Sequence, residues 1–252
     1  MISKNQIKHI KALHLKKFRD EQECFIAEGV KVVDEIVLHR SELINEVFAT
    51  SEYYNKNRIA LEKKDIAFYE VNEEELGRIS MQNNPNQVLA VCSYFEEEKS
   101  KLDLSKNFSF YLDDIRDPGN LGTILRIADW FGIKEIFCSP NSTDIYNPKS
   151  IQAAMGAFLR VKVNYVDLKE LVNGEFPVYG AVLNGKNIYS EKLTNGLILI
   201  GNEANGITLD NSKAITNPIT IPAHSNNQTE SLNAAMATSI ICSEFFRQLK
   251  LK

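Results

Sequence analysis

The stretch at residues 114–132, DIRDPGNLGTILRIADWFG, joins a polar turn to an amphipathic helix. Asp117 and a Pro-Gly pair form the turn, and the apolar residues that follow recur at helical spacing. They are Leu121, Ile124, Leu125, Ala128 and Phe131. Asn120 opens the helix, and Arg126 lies away from the apolar stripe six residues later. The pattern predicts a buried helix that carries an amide and a guanidinium for a purpose other than packing.

Strands and helices alternate on both sides of this stretch. FSFYLDD, at 108–114, predicts a strand that leads into a helix at 120–131. The later elements are strands at 134–139, 160–166, 176–183, 196–203 and 217–223, and helices at 150–158 and 230–250. Regular alternation of this kind is typical of a mostly parallel sheet with helices on both faces. We therefore expect an α/β fold for the second half of the chain.

The first half predicts a smaller α/β unit. The pattern is helical from Ile7 to Leu38, with an interruption at Phe25–Gly29. Strands at 45–50, 66–71 and 87–95 and a helix at 72–80 follow. The charged segment EEEKSKLDLSKN, at 96–107, reads as a linker. The chain thus divides into predicted domains at 1–100 and 107–252.

Composition limits where a nucleic acid could bind. The 252 residues are 44% hydrophobic and 25% charged, with a net charge of −4, which is ordinary for a globular protein. A nucleic-acid site must therefore be local. Basic side chains do cluster at the start of the chain, at Lys4, Lys8, Lys11, Lys16, Lys17 and Arg19. Such a run is either a solvated helix face or a phosphate-binding surface.

Cysteine spacing and the N-terminus indicate a cytoplasmic protein. The four cysteines are far apart, without the pairs of a zinc site or the pattern of a disulfide framework, and read as reduced and mostly buried thiols. The first twenty residues are polar and basic, and no apolar run reaches the length of a membrane span. The acids at 113, 114 and 117 lack EF-hand spacing, so no metal is expected.

Three loops follow predicted strands, where parallel sheets bind ligands. The opening stretch is the first loop. The second lies in LILIGNEANGI, at 197–207, and its glycines and asparagines suit close backbone contact with a flat heterocycle or a simple turn. The third lies in ITIPAHSNNQTESLNAAMA, at 219–237, where Ser231 could cap a helix and Asn233 would lie in its first turn. No G-x-G-x-x-G, P-loop or G-x-S-x-G motif competes with these loops.

Together the three loops resemble the SpoU (TrmH-like) branch of the knotted SPOUT methyltransferases. DPGNLGTILRIADWFG resembles motif 1, LIGNEANGI motif 2 and IPAHSNNQTESLNAAMA motif 3 of that family, in the same order. The resemblance covers residues 107–252. It departs from the pattern in SLNAAMA, where small or flexible residues replace the valine that usually follows the asparagine. The N-terminal half is similar to the L30e-like domain that helps many members to hold RNA, through residues 7–35 and 84–95.

The resemblance implies an enzyme that moves a methyl group from S-adenosylmethionine to a ribose 2′-hydroxyl of RNA. It implies active-site roles for Asn120, Arg126, Glu203 and Asn233. The implied cofactor-binding residues are Leu199, Ile200, Gly201, Asn202, Gly206, Ile221, Ser231, Leu232 and Asn233. The implied RNA-binding residues are Lys8, Lys11, Lys16, Lys17 and Arg19.

The resemblance also implies a C-terminal trefoil knot and a homodimer with active sites at the subunit contact. Ribosomal RNA is the first expectation for the substrate, and transfer RNA is the second. A different class of function stays open at this point, since the chain could be an RNA-binding or ribosome-assembly protein that keeps the fold without the reaction.

Overall fold

A computed structural model describes residues 2–64, 66–96, 100, 102–226 and 228–250. The chain forms two compact units, one of Met1–Glu98 with Asp144–Leu159 and the other of Lys99–Thr143 with Arg160–Lys252. Within the predicted linker at 96–107, residues 97–99 and 101 lie outside the described residues, as does residue 227 in the third loop.

The first unit contains a mixed four-stranded sheet. Its strands are β1 (Cys24–Glu28), β2 (Ile44–Ala49), β3 (Ala67–Glu70) and β4 (Val88–Ser93), in the order β1-β4-β2-β3. Strand β4 is antiparallel to both of its neighbours, and β2 is parallel to β3. The helices are α1 (Lys4–Ala12), α2 (Lys16–Gln22), α3 (Val30–His39), α4 (Ser51–Lys63) and α5 (Glu73–Ile79), with a 3₁₀ turn at Ser41–Leu43.

Strand β1 occupies the interruption that was predicted at Phe25–Gly29, although no strand was predicted there. The side chains of Phe25, Ile26 and Ala27 are fully buried in this strand. A short apolar run has no periodicity that separates a buried strand from a buried helix. Gly29, at φ 88°, then provides the backbone turn from which α3 begins.

The segment Asp144–Leu159 belongs to the first unit, although it follows two strands of the second. It contains α7 (Pro148–Ala154) and a 3₁₀ turn at Ala157–Leu159. The Tyr146 ring stacks on Tyr94 with centroids 3.7 Å apart and lies 5.2 Å from the Phe25 ring. These contacts place its aromatic side chains in the packing of the N-terminal unit.

The second unit contains a six-stranded sheet in which every strand pair is parallel. Its strands, in the order β10-β8-β9-β5-β6-β7, are β5 (Phe108–Asp113), β6 (Glu135–Cys138), β7 (Lys162–Tyr165), β8 (Val178–Asn187), β9 (Gly196–Gly201) and β10 (Asn217–Thr220). Its helices are α6 (Pro118–Trp130), α8 (Leu168–Leu171), α9 (Leu209–Ser212) and α10 (Ala234–Lys250). The predicted parallel α/β architecture is confirmed.

Burial explains the central position of β5 and β9. All six residues of β5 are buried, as are five of the six in β9, including Ile198 and Leu199. Continuous burial along a strand is typical of a parallel sheet that is covered on both faces. The polar residues that follow these strands therefore lie at the same edge of the sheet.

Two other predictions concern the whole chain. Among the described residues, none of the helices combines the length and the apolar character needed to cross a bilayer. The four cysteines are free thiols, and Cys92, Cys138 and Cys242 are buried, as predicted.

Candidate active site

One hydrogen-bonded network joins a side chain from each of the three predicted loops. The Asn120 amide donates to the Glu203 carboxylate, and the Asn233 amide donates to Asn120 Oδ1 over 2.8 Å. Asn120 lies in the first turn of α6 after β5, Glu203 follows β9, and Asn233 precedes α10. The predicted convergence of the loops is thus present in the second unit.

The start of α6 fixes Asn120. Asp117 is the N-cap, and its carboxylate accepts the Asn120 backbone N–H at 2.7 Å. Pro118 occupies the first helical turn, where its missing N–H costs nothing. Asp114, between β5 and this turn, has φ 57°, and its N–H donates to Ser139 Oγ at 2.9 Å. A left-handed residue that is held by hydrogen bonds turns the chain from the strand into the helix.

Asn202 shapes the loop that carries Glu203. Its side-chain oxygen accepts the N–H of Ala204 at 2.9 Å, and its backbone pairs with Gly206 through hydrogen bonds of 3.0 and 2.8 Å. Gly206, at φ 67°, closes this narrow turn. A Cβ on Gly201 would lie less than 3.0 Å from the backbone of Gly206 and Ile207, so only glycine fits there. The loop is therefore an ordered turn with Glu203 near its tip.

Asn233 both caps α10 and reaches the network. Its Oδ1 accepts the N–H of Ala235 at 3.0 Å, while its Nδ2 donates to Asn120. The helix therefore begins at Ala234, which corrects both the predicted start near residue 230 and the predicted cap at Ser231. Ser231 and Leu232 instead lie exposed in the preceding loop.

The predicted cofactor-binding residues divide between strand and loop. Leu199 and Ile200 are buried in β9 and Gly201 ends that strand, whereas Asn202 and Gly206 lie in the turn that follows. Ile221, half-buried, directly follows β10. Ser231, Leu232 and Asn233 lie in the segment between β10 and α10. The predicted residues therefore lie at the carboxyl ends of β9 and β10 or in the chain that follows these strands.

Arg126 does not join the network. It lies on the exposed side of α6, and it makes no hydrogen bond or ion pair with the residues that the structure describes. Six residues along a helix correspond to about 9 Å of rise and a rotation of about 240° from Asn120. The guanidinium is therefore available to an external anion.

No role was predicted for the side chains of Asp113 and Tyr111 at the end of β5. Asp113, at the end of β5, is almost fully buried, and its carboxylate accepts hydrogen bonds from Thr208 and Asn211. Burial, together with the nearby charge of Asp113, raises the pKa of Tyr111 to about 12. A sequence signal for a structural role was present, because Asp113 and Asp114 are adjacent acids at the end of a buried strand.

The predicted RNA-binding lysines lie in the first unit. Lys8, Lys11, Lys16 and Lys17 are exposed on α1 and α2. Arg19 differs from them, because only 2% of it is exposed and its guanidinium donates to Asp144 at 2.7 Å. This corrects the prediction for Arg19, whose charge is neutralised inside the unit instead of facing RNA.

Known protein families match both halves of the chain. The sequence profile of the SpoU rRNA methylase family matches residues 107–243, and that of the MRM3-like substrate binding domain matches residues 4–90. The 23S rRNA (guanosine(2553)-2′-O)-methyltransferase RlmP of Bacillus subtilis is 30% identical over 95% of each chain.

Two solved structures are similar to the chain over nearly its whole length. A TrmH-family protein from Porphyromonas gingivalis has a TM-score of 0.84 and 34% identity, covering 97% of this chain and 98% of its own. The AdoMet-bound rRNA methyltransferase from Sinorhizobium meliloti has a TM-score of 0.84 and 26% identity, covering 99% of this chain and 97% of its own.

Proposed function

This chain belongs to the SpoU rRNA methylase family, and from this we propose that it transfers a methyl group from S-adenosylmethionine to a ribose 2′-hydroxyl of RNA. The observation that carries the proposal is the network of Asn120, Glu203 and Asn233, which unites the three loops in which motifs 1, 2 and 3 were expected. The family match covers all three loops.

The residues at the strand ends fit such a cofactor. S-adenosylmethionine supplies an electrophilic methyl group on a positively charged sulfur when it is bound. The turn from Gly201 to Gly206 would hold it with backbone groups, together with Ile221 and the residues from Ser231 to Asn233. Glu203 gives this edge a negative charge that favours a sulfonium. The side-chain amides of Asn120 and Asn233 each have a second N–H, which could donate to a hydroxyl or carboxylate oxygen of the cofactor.

Positioning is the main task of the protein in this reaction. Methyl transfer is an in-line displacement, so the attacking oxygen must be held close to the methyl carbon and opposite the sulfur. We propose that Arg126 binds the phosphate of the target nucleotide bidentately and brings the adjacent hydroxyl to that point. Asn120, oriented by Glu203, would hold the ribose. The hydroxyl must also lose its proton as it attacks. A guanidinium stays protonated in water, so Arg126 would favour the developing negative charge on the oxygen, and the proton would pass to solvent water.

Ribosomal RNA is the proposed substrate, because the relative with 30% identity is named for 23S rRNA. The proposed domain division assigns 1–100 to RNA binding and 107–252 to methyl transfer, and the family matches at 4–90 and 107–243 support it, although Asp144–Leu159 packs within the first unit. The exposed Lys8, Lys11, Lys16 and Lys17 would attract RNA phosphates without reading sequence. With a ribosomal RNA substrate, the proposed activity would be cytoplasmic.

We propose a homodimer in which α6 and α10 form the contact surface. Phe131 and Phe246 pack these helices together with ring centroids 5.3 Å apart. At opposite ends of this helix pair, Trp130 is 85% exposed and Met236 is 64% exposed. A second copy would cover these apolar side chains and bring its own groups towards the exposed Arg126. We expect the Trp130→Arg variant to sediment as a monomer and the wild type to sediment as a dimer.

A trefoil knot in the C-terminal chain is part of the proposal. Strand β10 pairs first with Tyr179 and Gly180 of β8 and then with Lys186 and Asn187, so the chain between them bulges out. Gly185 lies directly against the backbone of Ile219, where a side chain would collide. Such close backbone passage supports a threaded C-terminal segment.

An assay of methyl transfer tests the proposal. Its substrate is ribosomal RNA isolated from a strain that lacks the gene. Arg126→Ala should abolish transfer while the Kd for S-adenosylmethionine stays within about threefold of wild type, because the arginine is assigned to the RNA and not to the cofactor. Lys169→Ala is the control, since Lys169 is an exposed cation of the second unit that pairs with Asp167 and lies outside the proposed RNA-binding domain. Wild-type turnover in the Arg126 variant would remove that residue from the mechanism. A wild-type protein that binds RNA but no S-adenosylmethionine would instead be a non-catalytic RNA-binding protein.

A further inference from the structure

Asp113 is a buried carboxylate that the proposed reaction does not use. It ends β5 with only 1% of its surface exposed. Its Oδ2 accepts the backbone N–H of Thr208 at 2.7 Å, and its Oδ1 accepts from the Asn211 amide at 2.8 Å. A buried carboxylate with two hydrogen-bond donors has a large free-energy cost if either is removed.

Those two donors lie just beyond the loop that carries Glu203. The start of that loop is attached to Asp114, the residue that follows Asp113. The Asn202 amide donates to the Asp114 carbonyl oxygen at 2.9 Å. Two consecutive aspartates, one through its side chain and one through its backbone, therefore hold both ends of the 202–208 turn. Displacement of either end of the turn would break one of these attachments.

We propose that Asp113 is a positioning residue that fixes the 202–208 turn in its cofactor-binding arrangement before the cofactor arrives. The inference rests on the proposed function, because it assigns this turn to S-adenosylmethionine. A loop that is ordered beforehand loses less conformational entropy on binding, so its affinity is higher. The same attachment keeps Glu203 in reach of Asn120, and a displaced turn would also misplace the amide that is assigned to the ribose.

A set of variants at positions 113 and 211 separates positioning from general stability. Asp113→Ala removes both acceptors, and we expect the Kd for S-adenosylmethionine to rise about tenfold or more. Asn211→Asp places a second carboxylate against Asp113, and a similar rise is expected from the repulsion. The double variant Asp113→Asn/Asn211→Asp exchanges donor and acceptor, so it should return the Kd to within about threefold of wild type.

Glu135→Ala is the matched control. Glu135 is also a buried carboxylate that accepts from an asparagine amide, that of Asn164 at 2.6 Å. It begins β6 and therefore lies at the amino ends of the parallel strands, away from the three loops. We expect this variant to melt at a lower temperature while its Kd for S-adenosylmethionine stays within about threefold of wild type.

Calorimetric titration with S-adenosylmethionine and amide hydrogen exchange of the turn are the two readouts. Exchange in residues 202–208 should accelerate in Asp113→Ala and in Asn211→Asp, and should return to the wild-type rate in the double variant. Unchanged affinity and exchange in Asn211→Asp, or a double variant as impaired as that single one, would overturn the inference. A wild-type protein that binds no S-adenosylmethionine overturns the proposed function instead, and the exchange data still decide whether Asp113 fixes the turn.

Discussion

Replacement of Arg19 by methionine should destabilise the N-terminal unit by about 3–5 kcal/mol, the usual cost of removing one partner from a buried ion pair. The guanidinium donates to the carbonyl oxygens of Leu13 and His14 at 3.0 Å each and to Asp144 at 2.7 Å. The Asp144 side chain is only 11% exposed, so its charge would be left in the interior without a cation. Methionine keeps the apolar stem, which limits the contribution of a cavity.

A second substitution separates the charge from the packing. Asp144→Asn, added to the Arg19→Met variant, removes the uncompensated charge, and the asparagine can still accept the Tyr146 N–H that Asp144 accepts at 2.8 Å. We expect the double variant to lose only about 1–2 kcal/mol relative to wild type. Arg78→Met serves as a control, because Arg78 forms an exposed pair with Glu74 on its own helix, and its loss should be about 0–1 kcal/mol.

Native-state hydrogen exchange in increasing urea measures these values locally. Peptides from residues 10–22 and 144–158 should lose protection together in Arg19→Met, because the ion pair joins them, while the peptide of β9 in the other unit reports an unaffected region. Equal destabilisation of Arg19→Met and the double variant would refute the electrostatic reasoning. Unchanged exchange in 144–158 would refute the assignment of that segment to the N-terminal unit.

Two other substitutions test local features. Gly201→Ala should lower the melting temperature and weaken binding of S-adenosylmethionine, because the new Cβ meets the backbone of Gly206 and Ile207; calorimetry with unchanged affinity would contradict this. Burial lowers the pKa of His14 below its ordinary value of 6.5, although the nearby Ile79 backbone opposes the shift. The neutral form is thus favoured by folding, and stability should fall as the pH drops below about 6.5. Urea unfolding from pH 7 to pH 5 should show a weaker pH dependence in His14→Gln, and an identical slope would exclude His14 as the cause.

The sequence predicted the convergence of the three loops in the second unit because its information is local, although the pairing of Glu203 with Asn120 was not predicted. Asn120, Glu203 and Asn233 each follow a strand or a strand-end loop, and the carboxyl ends of parallel strands share one edge. Topology therefore brings them together without knowledge of individual contacts. The choice of Asn233 over Ser231 as the helix cap was not predictable in this way, because both residue types are favourable caps and the path of the preceding loop decides between them.

The first unit shows where local information fails. The positive charge of Arg19 was visible in the sequence, but its burial depends on Asp144, which is 125 residues away. Nothing in the pattern of 150–158 distinguishes a helix that packs on its own sheet from one that packs elsewhere. The strand at Cys24–Glu28 was missed for the related reason that its burial on both faces removes the alternation typical of a strand.

The division of the N-terminal unit has a consequence for synthesis of the chain. Because Asp144–Leu159 supplies the partner of Arg19 and aromatic contacts to Phe25, the unit cannot complete its packing when residue 98 leaves the ribosome. It must wait until residue 159 has emerged, a delay of roughly 3–12 s at about 5–20 residues per second. During that interval β5, α6 and β6 are already outside the tunnel as a nascent chain, so these elements of the second unit are exposed before the first unit is complete. A gene fragment that ends at residue 98 would yield a module without its last structural segment.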